Sequence, residues 1–128
     1  MKKVLAGGFA LALVFAVSGC VDSHEAVLKD TIKTMDEITE VCESIKDESS
    51  AKAAKPKLEK LAEKMKDIKK RADKLGDPKG DKKEALEKKY KDDLLKSALK
   101  MAVAIQKAST VPGGKDAIKP LEEIKNLK

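Results

Sequence analysis

The amino-acid sequence predicts an all-α fold, an up-down antiparallel bundle of three long helices and a short fourth. Apolar residues recur along the chain at steps of three and four, and no stretch alternates with a period of two. Aromatic residues make up only 2% of the 128 residues, whereas 39% are charged, which is typical of solvated helix surfaces around a small core. This length and pattern predict a single domain.

The first helix is predicted to begin at Asp22, which would act as N-cap with Glu25 three residues further on. The helix is predicted to stop near Asp47. Its apolar stripe steps by three or four residues through Leu28, Ile32, Met35, Ile38, Cys42 and Ile45. One face of this helix should therefore pack into the core.

The second helix has the most regular pattern. Its apolar residues step by 4, 3, 4, 3, 4 and 3 through Ala54, Leu58, Leu61, Met65, Ile68, Ala72 and Leu75. This spacing is a coiled-coil seam of three heptads and predicts left-handed packing against a neighbouring helix. Gly76 and Pro78 predict its end, because glycine accepts a left-handed backbone and proline cannot continue a helix.

The third helix is predicted to start near Asp81 with a second Asp-x-x-Glu pattern. Its C-terminal half is apolar around most of its circumference, which predicts that it is the most buried element. Residues 111–114 (Val-Pro-Gly-Gly) break it, and a short last helix over 115–128 follows. Short connections favour two αα-hairpins, the first helix with the second and the third with the fourth.

Two prolines leave alternatives open. Pro56 and Pro120 fall near the predicted first turns of the second and fourth helices. Each can be the first helical residue or can lie one turn further in, as a mild kink. The seam of the second helix continues back to Ala54, which favours the kink at Pro56.

The first 20 residues have the pattern of an export signal. Lys2 and Lys3 precede Val4–Val17, a run of 14 residues without a charge. A transmembrane helix needs about 20 such residues, whereas the apolar core of a signal peptide has this shorter length. The segment ends in Val17-Ser18-Gly19-Cys20, which resembles the lipobox of bacterial lipoproteins.

The resemblance implies that 1–19 is a signal peptide that is removed and that Cys20 carries a diacylglyceryl thioether and an N-acyl chain such as palmitate. Residues 20–128 would then be a lipid-anchored helical bundle on the periplasmic side of the cell envelope. Val21 stands where some lipoproteins retained in the inner membrane carry Asp, so the outer membrane is favoured. The expected partners are membrane lipid, through acylated Cys20, and either an envelope protein or a second copy that meets apolar surface on the fourth helix.

The residues with reactive side chains form no catalytic, cofactor-binding or metal-ligating pattern. His24 is the only histidine, and no partner ligand stands at helical spacing from it. Cys42 lies on an apolar stripe and should be buried, with an intermolecular disulfide as the open alternative. The lysines alternate with acids and lack aromatic neighbours, which excludes nucleic acid as a partner. The sequence therefore predicts a protein that is not an enzyme and has no cofactor.

The predicted bundle also resembles the periplasmic b-type cytochromes, four-helix proteins in which a Met on the first helix and a His on the last hold haem. Met35 matches the Met, but 115–128 contains no His. Met35, Met65 and Met101 all lie on apolar stripes, so they are predicted to fill the core. Lys128 resembles the C-terminal lysine through which the murein lipoprotein is attached to peptidoglycan.

The composition is similar to that of small Lys/Glu-rich helical lipoproteins. The resulting expectation is a non-catalytic structural or protein-interaction module of the envelope. The alternatives are a helical bundle that binds haem or another small ligand, and a spacer linked to peptidoglycan.

Overall fold

The computed structural model describes residues 23–125, and all regular structure in this range is helical. The helices are α1 (His24–Glu43), α2 (Glu48–Leu75), α3 (Asp81–Ser109) and α4 (Gly114–Lys125). They contain 20, 28, 29 and 12 residues in that order. The prediction of an all-α bundle with three long helices and a short fourth is confirmed.

The chain folds into two antiparallel hairpins, α1 with α2 and α3 with α4, as predicted. The hairpins lie side by side, so that α1 packs against α3 and α2 packs against α4. Ion pairs join α2 to both of its neighbours: Arg71–Asp30 (2.8 Å) and Lys64–Glu37 (3.1 Å) on α1, and Lys55–Asp116 (2.9 Å) and Lys66–Glu123 (3.2 Å) on α4.

The hydrophobic core lies where the apolar stripes of the four helices face one another. Its buried members are Ile38, Cys42, Ile45, Ala51, Ala54, Leu58, Ala62, Ala104, Ala108, Ala117, Ile118 and Leu121. Leu58, a member of the predicted α2 seam, has 0% exposure. Leu61 and Met65 are partly buried against the same cluster. Burial of a side chain of this size stabilises a fold by about 1.5–3 kcal/mol.

Two threonines of α1, which the apolar pattern did not include, are also buried. The hydroxyl of Thr34 donates to the carbonyl of Asp30 at 2.7 Å, and that of Thr39 donates to the carbonyl of Met35 at 2.9 Å. These bonds satisfy the hydroxyls and leave the methyl groups to pack in the core. Within 23–125, every buried side-chain nitrogen or oxygen has a hydrogen-bond partner.

Two predicted helix starts need correction. The N-cap of α1 is Ser23, whose Oγ accepts from the backbone N–H of Ala26 at 3.1 Å. Asp22, the predicted cap, lies outside the described residues. The residue before α3 is Gly80, with φ of 61° and no side-chain cap, so Asp81 is the first helical residue rather than the cap.

The boundary between α1 and α2 also differs from the prediction. The Asp47 carboxylate accepts from the N–H of Ser50 at 2.8 Å, and Ser50 Oγ accepts from the N–H of Asp47 at 3.0 Å. This capping box starts α2, so α1 ends earlier, at Glu43. The hydrogen bonds from Ser50 lower the pKa of Asp47, because they stabilise its charged form.

Both prolines lie inside helices. Because α2 begins at Glu48, Pro56 falls in its third turn, and Pro120 falls in the second turn of α4. Of the two alternatives, the position inside the helix is the observed one. The predicted end of α2 is confirmed at Gly76, which takes a φ of 69°.

The prediction that α3 is the most buried helix is wrong. Its core side is covered, but Leu95, Leu99 and Val103 are 57%, 58% and 50% exposed. The physical reason is that α1 and the short α4 cover only part of a helix whose apolar residues extend around most of its circumference. Apolar content alone therefore does not bury a helix.

The predicted apolar surface on the fourth helix is also corrected. Ala117, Ile118 and Leu121 of α4 are buried in the core, and Ile124 packs against it. The large exposed apolar side chains of the described residues are those of α3 instead. Any association through leftover apolar surface would have to use α3.

Residues 23–125 supply their own core, helix caps and interhelical ion pairs. Among these residues, no helix combines the length and the apolar character that crossing a membrane requires. The predictions for 1–19, Cys20 and Lys128 lie outside the described range.

Candidate functional site

The start of α1 is the end of the bundle nearest to the predicted lipidation site. Cys20 lies outside the described residues, but Ser23 already caps α1. Only two residues separate Cys20 from this cap, and at full extension they reach about 10 Å. A lipid on Cys20 would therefore hold this end of the bundle close to the bilayer.

A polar cluster ties the start of α1 to α3. The Glu25 carboxylate accepts from the hydroxyl of Tyr90 at 2.5 Å and from Nζ of Lys89 at 2.7 Å. Lys89 Nζ also lies 5.3 Å from the centre of the Tyr90 ring. The hydrogen bonds from Lys89 and Tyr90 lower the pKa of Glu25 to about 2 and raise that of Lys89. This cluster fixes the first turn of α1 against the N-terminal half of α3.

His24 joins the same end of the bundle to α2. Its Nε2–H donates to the carbonyl oxygen of Gly76 at 2.9 Å, across 52 residues of sequence. The sequence predicts no metal or haem ligand at this histidine. Within 23–125, no group of three or more His, Cys, Asp or Glu side chains is placed to hold a metal ion.

Cys42 is buried and free, with 2% exposure, as its place on the apolar stripe of α1 predicts. Burial and then the nearby charge of Glu43 raise its pKa to about 11, because both disfavour the thiolate. The thiol is therefore neutral at physiological pH and packs as a small apolar side chain.

The three methionines on apolar stripes face the core to different degrees. Met35 is buried, whereas Met65 and Met101 are partly buried against the main cluster. Met35, the residue that matches the haem-ligating Met of the b-type cytochromes, is thus enclosed by packing. The described part of α4 contains no histidine to face it.

The exposed face of α3 is the largest feature that the sequence prediction missed. Leu95, Leu99 and Val103 follow one another at steps of four and form an exposed apolar row, the α3 stripe. Two of its members, Leu99 and Val103, line an open groove of about 690 Å³ between α3 and the end of α1. Lys46, Lys100 and Lys107 line the groove as well, and Glu43 is its one acidic residue.

The sequence contains a signal for this face. The run 94–115 has no Asp or Glu but includes four lysines, whereas the next longest acid-free run after residue 22 is 49–58. Periodicity alone could not separate the covered from the uncovered side of α3, because that depends on where α4 lies.

The chain was compared with protein-family models, with curated proteins and with solved structures, and nothing in these comparisons matches it significantly.

Proposed function

We propose that this protein is a lipid-anchored, non-catalytic module of the bacterial cell envelope that works by contact. Acylated Cys20 would hold it on the periplasmic side, at the outer membrane in preference to the inner one. Its exposed surface would meet an envelope partner.

The observation that carries this proposal is the position of Ser23 as the N-cap of α1. Only two residues therefore lie between the lipobox cysteine and the cap of the first helix. Two or three acyl chains, at about 0.8 kcal/mol per buried methylene, hold a protein firmly on a bilayer. The short connection would keep the bundle at the membrane surface.

The contacts of the reactive side chains favour a structural role. His24 is engaged with the backbone of Gly76, and Cys42 is a buried, neutral thiol within the core. Glu25 and Tyr90 join two helices. Each of these groups contributes to packing or to helix contacts, which supports a module that acts through its surface.

The test is the variant Cys20→Ala in bacterial cells that process lipoproteins. The wild type should incorporate labelled palmitate and should stay in the membrane fraction after a high-salt wash. Cys20→Ala should lose the label and should leave the membrane in that wash.

Cys42→Ala is the matched control, because it removes the other thiol of the chain and leaves the lipobox intact. It should keep both the label and the membrane location. Palmitate incorporation by Cys20→Ala, or its retention after the wash, would sink the proposed anchor. Protein that stays with the sacculus after boiling in detergent would point to the peptidoglycan-linked alternative instead.

A further inference from the structure

The α3 stripe is an apolar surface without a cover among the described residues. Its three side chains are each at least half exposed, and they lie on the side of α3 away from the core. Contiguous large apolar side chains on the surface of a small soluble domain mark sites of interaction. The charges of the side chains around the stripe indicate which kind of partner surface would bind it.

The charge around the stripe is mainly positive, and Glu43 is the one acidic residue that lines the groove beside it. Four lysines and no acidic residue lie in 94–115, and Asp92 and Asp93 form its N-terminal limit. Since a helix turns by about 100° per residue, Lys96, Lys100 and Lys107 fall along one edge of the stripe, within about 100° of Leu99. The groove beside Leu99 adds Lys46 to the same edge.

A second copy of the chain would fit this face poorly. Antiparallel pairing of two stripes around Leu99 would bring Lys96 and Lys100 of both α3 helices together at the centre of the contact. Lys107 of each copy would instead lie near Asp92 of the other. The central lysines would have no acidic residue of 94–115 beside them. Like charges that face each other across a contact destabilise it, so the face favours an anionic partner.

We propose that this face of α3 docks on the surface of an anionic lipid bilayer. The side chains of Leu95, Leu99 and Val103 would insert at the boundary between headgroups and acyl chains. The edge lysines would reach the lipid phosphates, with their methylene stems along the apolar surface.

The position of the stripe is compatible with an anchor at Cys20. Glu25, near the start of α1, is 2.7 Å from Lys89 of α3, so the anchor end lies beside α3. At 1.5 Å per residue, the stripe extends from about 9 to about 21 Å beyond Lys89. A bundle tethered at this end can therefore lie on its side with α3 against the bilayer. The inference relies on the proposed function for the membrane that α3 meets, but lipid docking itself needs no acylated cysteine.

The first experiment uses the absence of tryptophan from the chain, which makes one introduced Trp a clean reporter. Unacylated 23–128, which contains the whole described core, carries either Leu99→Trp or the control Lys60→Trp at an exposed position on α2. Vesicles contain phosphatidylglycerol and phosphatidylcholine, or phosphatidylcholine alone, with brominated acyl chains as quenchers. Circular dichroism verifies that both variants keep their helix content.

We expect quenching with Leu99→Trp in the phosphatidylglycerol vesicles and not with Lys60→Trp. Binding should weaken as salt is added, because salt screens the lysines. Equal quenching at both positions, or no binding to anionic vesicles, overturns the proposal. A Leu99→Trp fluorescence that is already shielded in buffer, together with a dimer in sedimentation, would identify a second copy as the occupant.

The second experiment tests whether vesicle binding depends on the lysines of this face or only on the net charge of the protein. The triple variant Lys96→Gln, Lys100→Gln and Lys107→Gln should bind anionic vesicles about a hundredfold more weakly at low salt. The matched triple Lys57→Gln, Lys60→Gln and Lys74→Gln removes the same charge from exposed sites on α2 and should retain most of the binding.

Equal losses in the two triple variants would show that total charge, and not the α3 face, attracts the vesicle, and would overturn the proposal. Failure of the Cys20 anchor would appear separately, in the palmitate label. The two proposals can therefore fail independently.

Discussion

The two longest helices, α2 and α3, differ by one residue in length but lie in very different surroundings. α2 packs between α1 and α4, and the first part of its heptad seam, from Ala54 to Met65, lies in or against the core. α3 has α1 and the short α4 on one side, and its other side is exposed. The neighbours of a helix therefore decide how much of it is buried.

The difference follows from how the apolar residues are distributed. In α2, lysines and glutamates confine them to one face that two neighbours can cover. In the C-terminal half of α3 they extend around most of the circumference, so that covering one side leaves another in water. The apolar side chains on the uncovered side of α3 add little to the stability of the bundle. They are available for contact with another surface.

The largest change in stability is expected from the first of two leucine truncations, one on α2 and one on α3. Leu58→Ala empties a site with 0% exposure and should cost about 2–5 kcal/mol of unfolding free energy. Leu99→Ala shortens a side chain that is 58% exposed and should change stability by at most about 0.5 kcal/mol. Urea unfolding followed by circular dichroism measures both.

Leu58→Met is a milder core variant for the same measurement, should the alanine variant not fold. It keeps the volume of the side chain and should cost less than about 1.5 kcal/mol. Equal losses for Leu58→Ala and Leu99→Ala would mean that the α3 stripe is covered in solution, which would contradict the contrast between the helices.

A second, smaller effect is expected where α4 begins. A Cβ on Gly114 would lie 1.7 Å from the carbonyl oxygen of Ala108, so only glycine allows this close approach. Gly114→Ala should displace the start of α4 and cost about 1–3 kcal/mol. Relative to the wild type, hydrogen exchange in the Gly114→Ala variant should increase more in α4 than in α1. The control is Lys115→Ala at the exposed neighbouring residue, and equal stability of the two variants would refute the tight connection.

Much of the bundle could be predicted because the relevant information is local. The seam from Ala54 to Leu75 and the stop at Gly76 depend on residues within a few turns of one another. Helix starts are harder to predict, because neighbouring residues can both act as caps. Ser23 and not the predicted Asp22 caps α1, and Asp47 starts α2 and does not end α1.

The candidate surfaces depend on contacts between distant parts of the chain. Tyr90 and Glu25 are 65 residues apart, and no pattern in the sequence pairs them. The exposure of Leu99 likewise depends on the placement of α1 and α4. The acid-free run 94–115 can be read from the sequence, but it marks a surface only because α3 has an uncovered side, which depends on the positions of α1 and α4.

The smallest expected effect concerns the N-terminal half of α3, which Glu25 fastens to α1. Hydrogen bonds from Lys89 and Tyr90 lower the pKa of Glu25 from 4.5 to about 2. Because the folded pKa lies below the unfolded one, ionised Glu25 stabilises the fold fully above pH 4.5. This contribution is lost as the pH falls towards about 2.

Glu25→Gln should therefore lower the Tm near neutral pH, and the gap to the wild type should close as the pH falls through this window. Tyr90→Phe, which keeps the ring but removes one of the two donors, should show the same pH dependence with a smaller gap. Thermal unfolding followed by circular dichroism at several pH values measures both variants. A gap of constant size from neutral pH down to about 2 would mean that Glu25 does not fasten α3 to α1 through its charge, because a stabilisation by the charged carboxylate must shrink as the pH approaches the folded pKa.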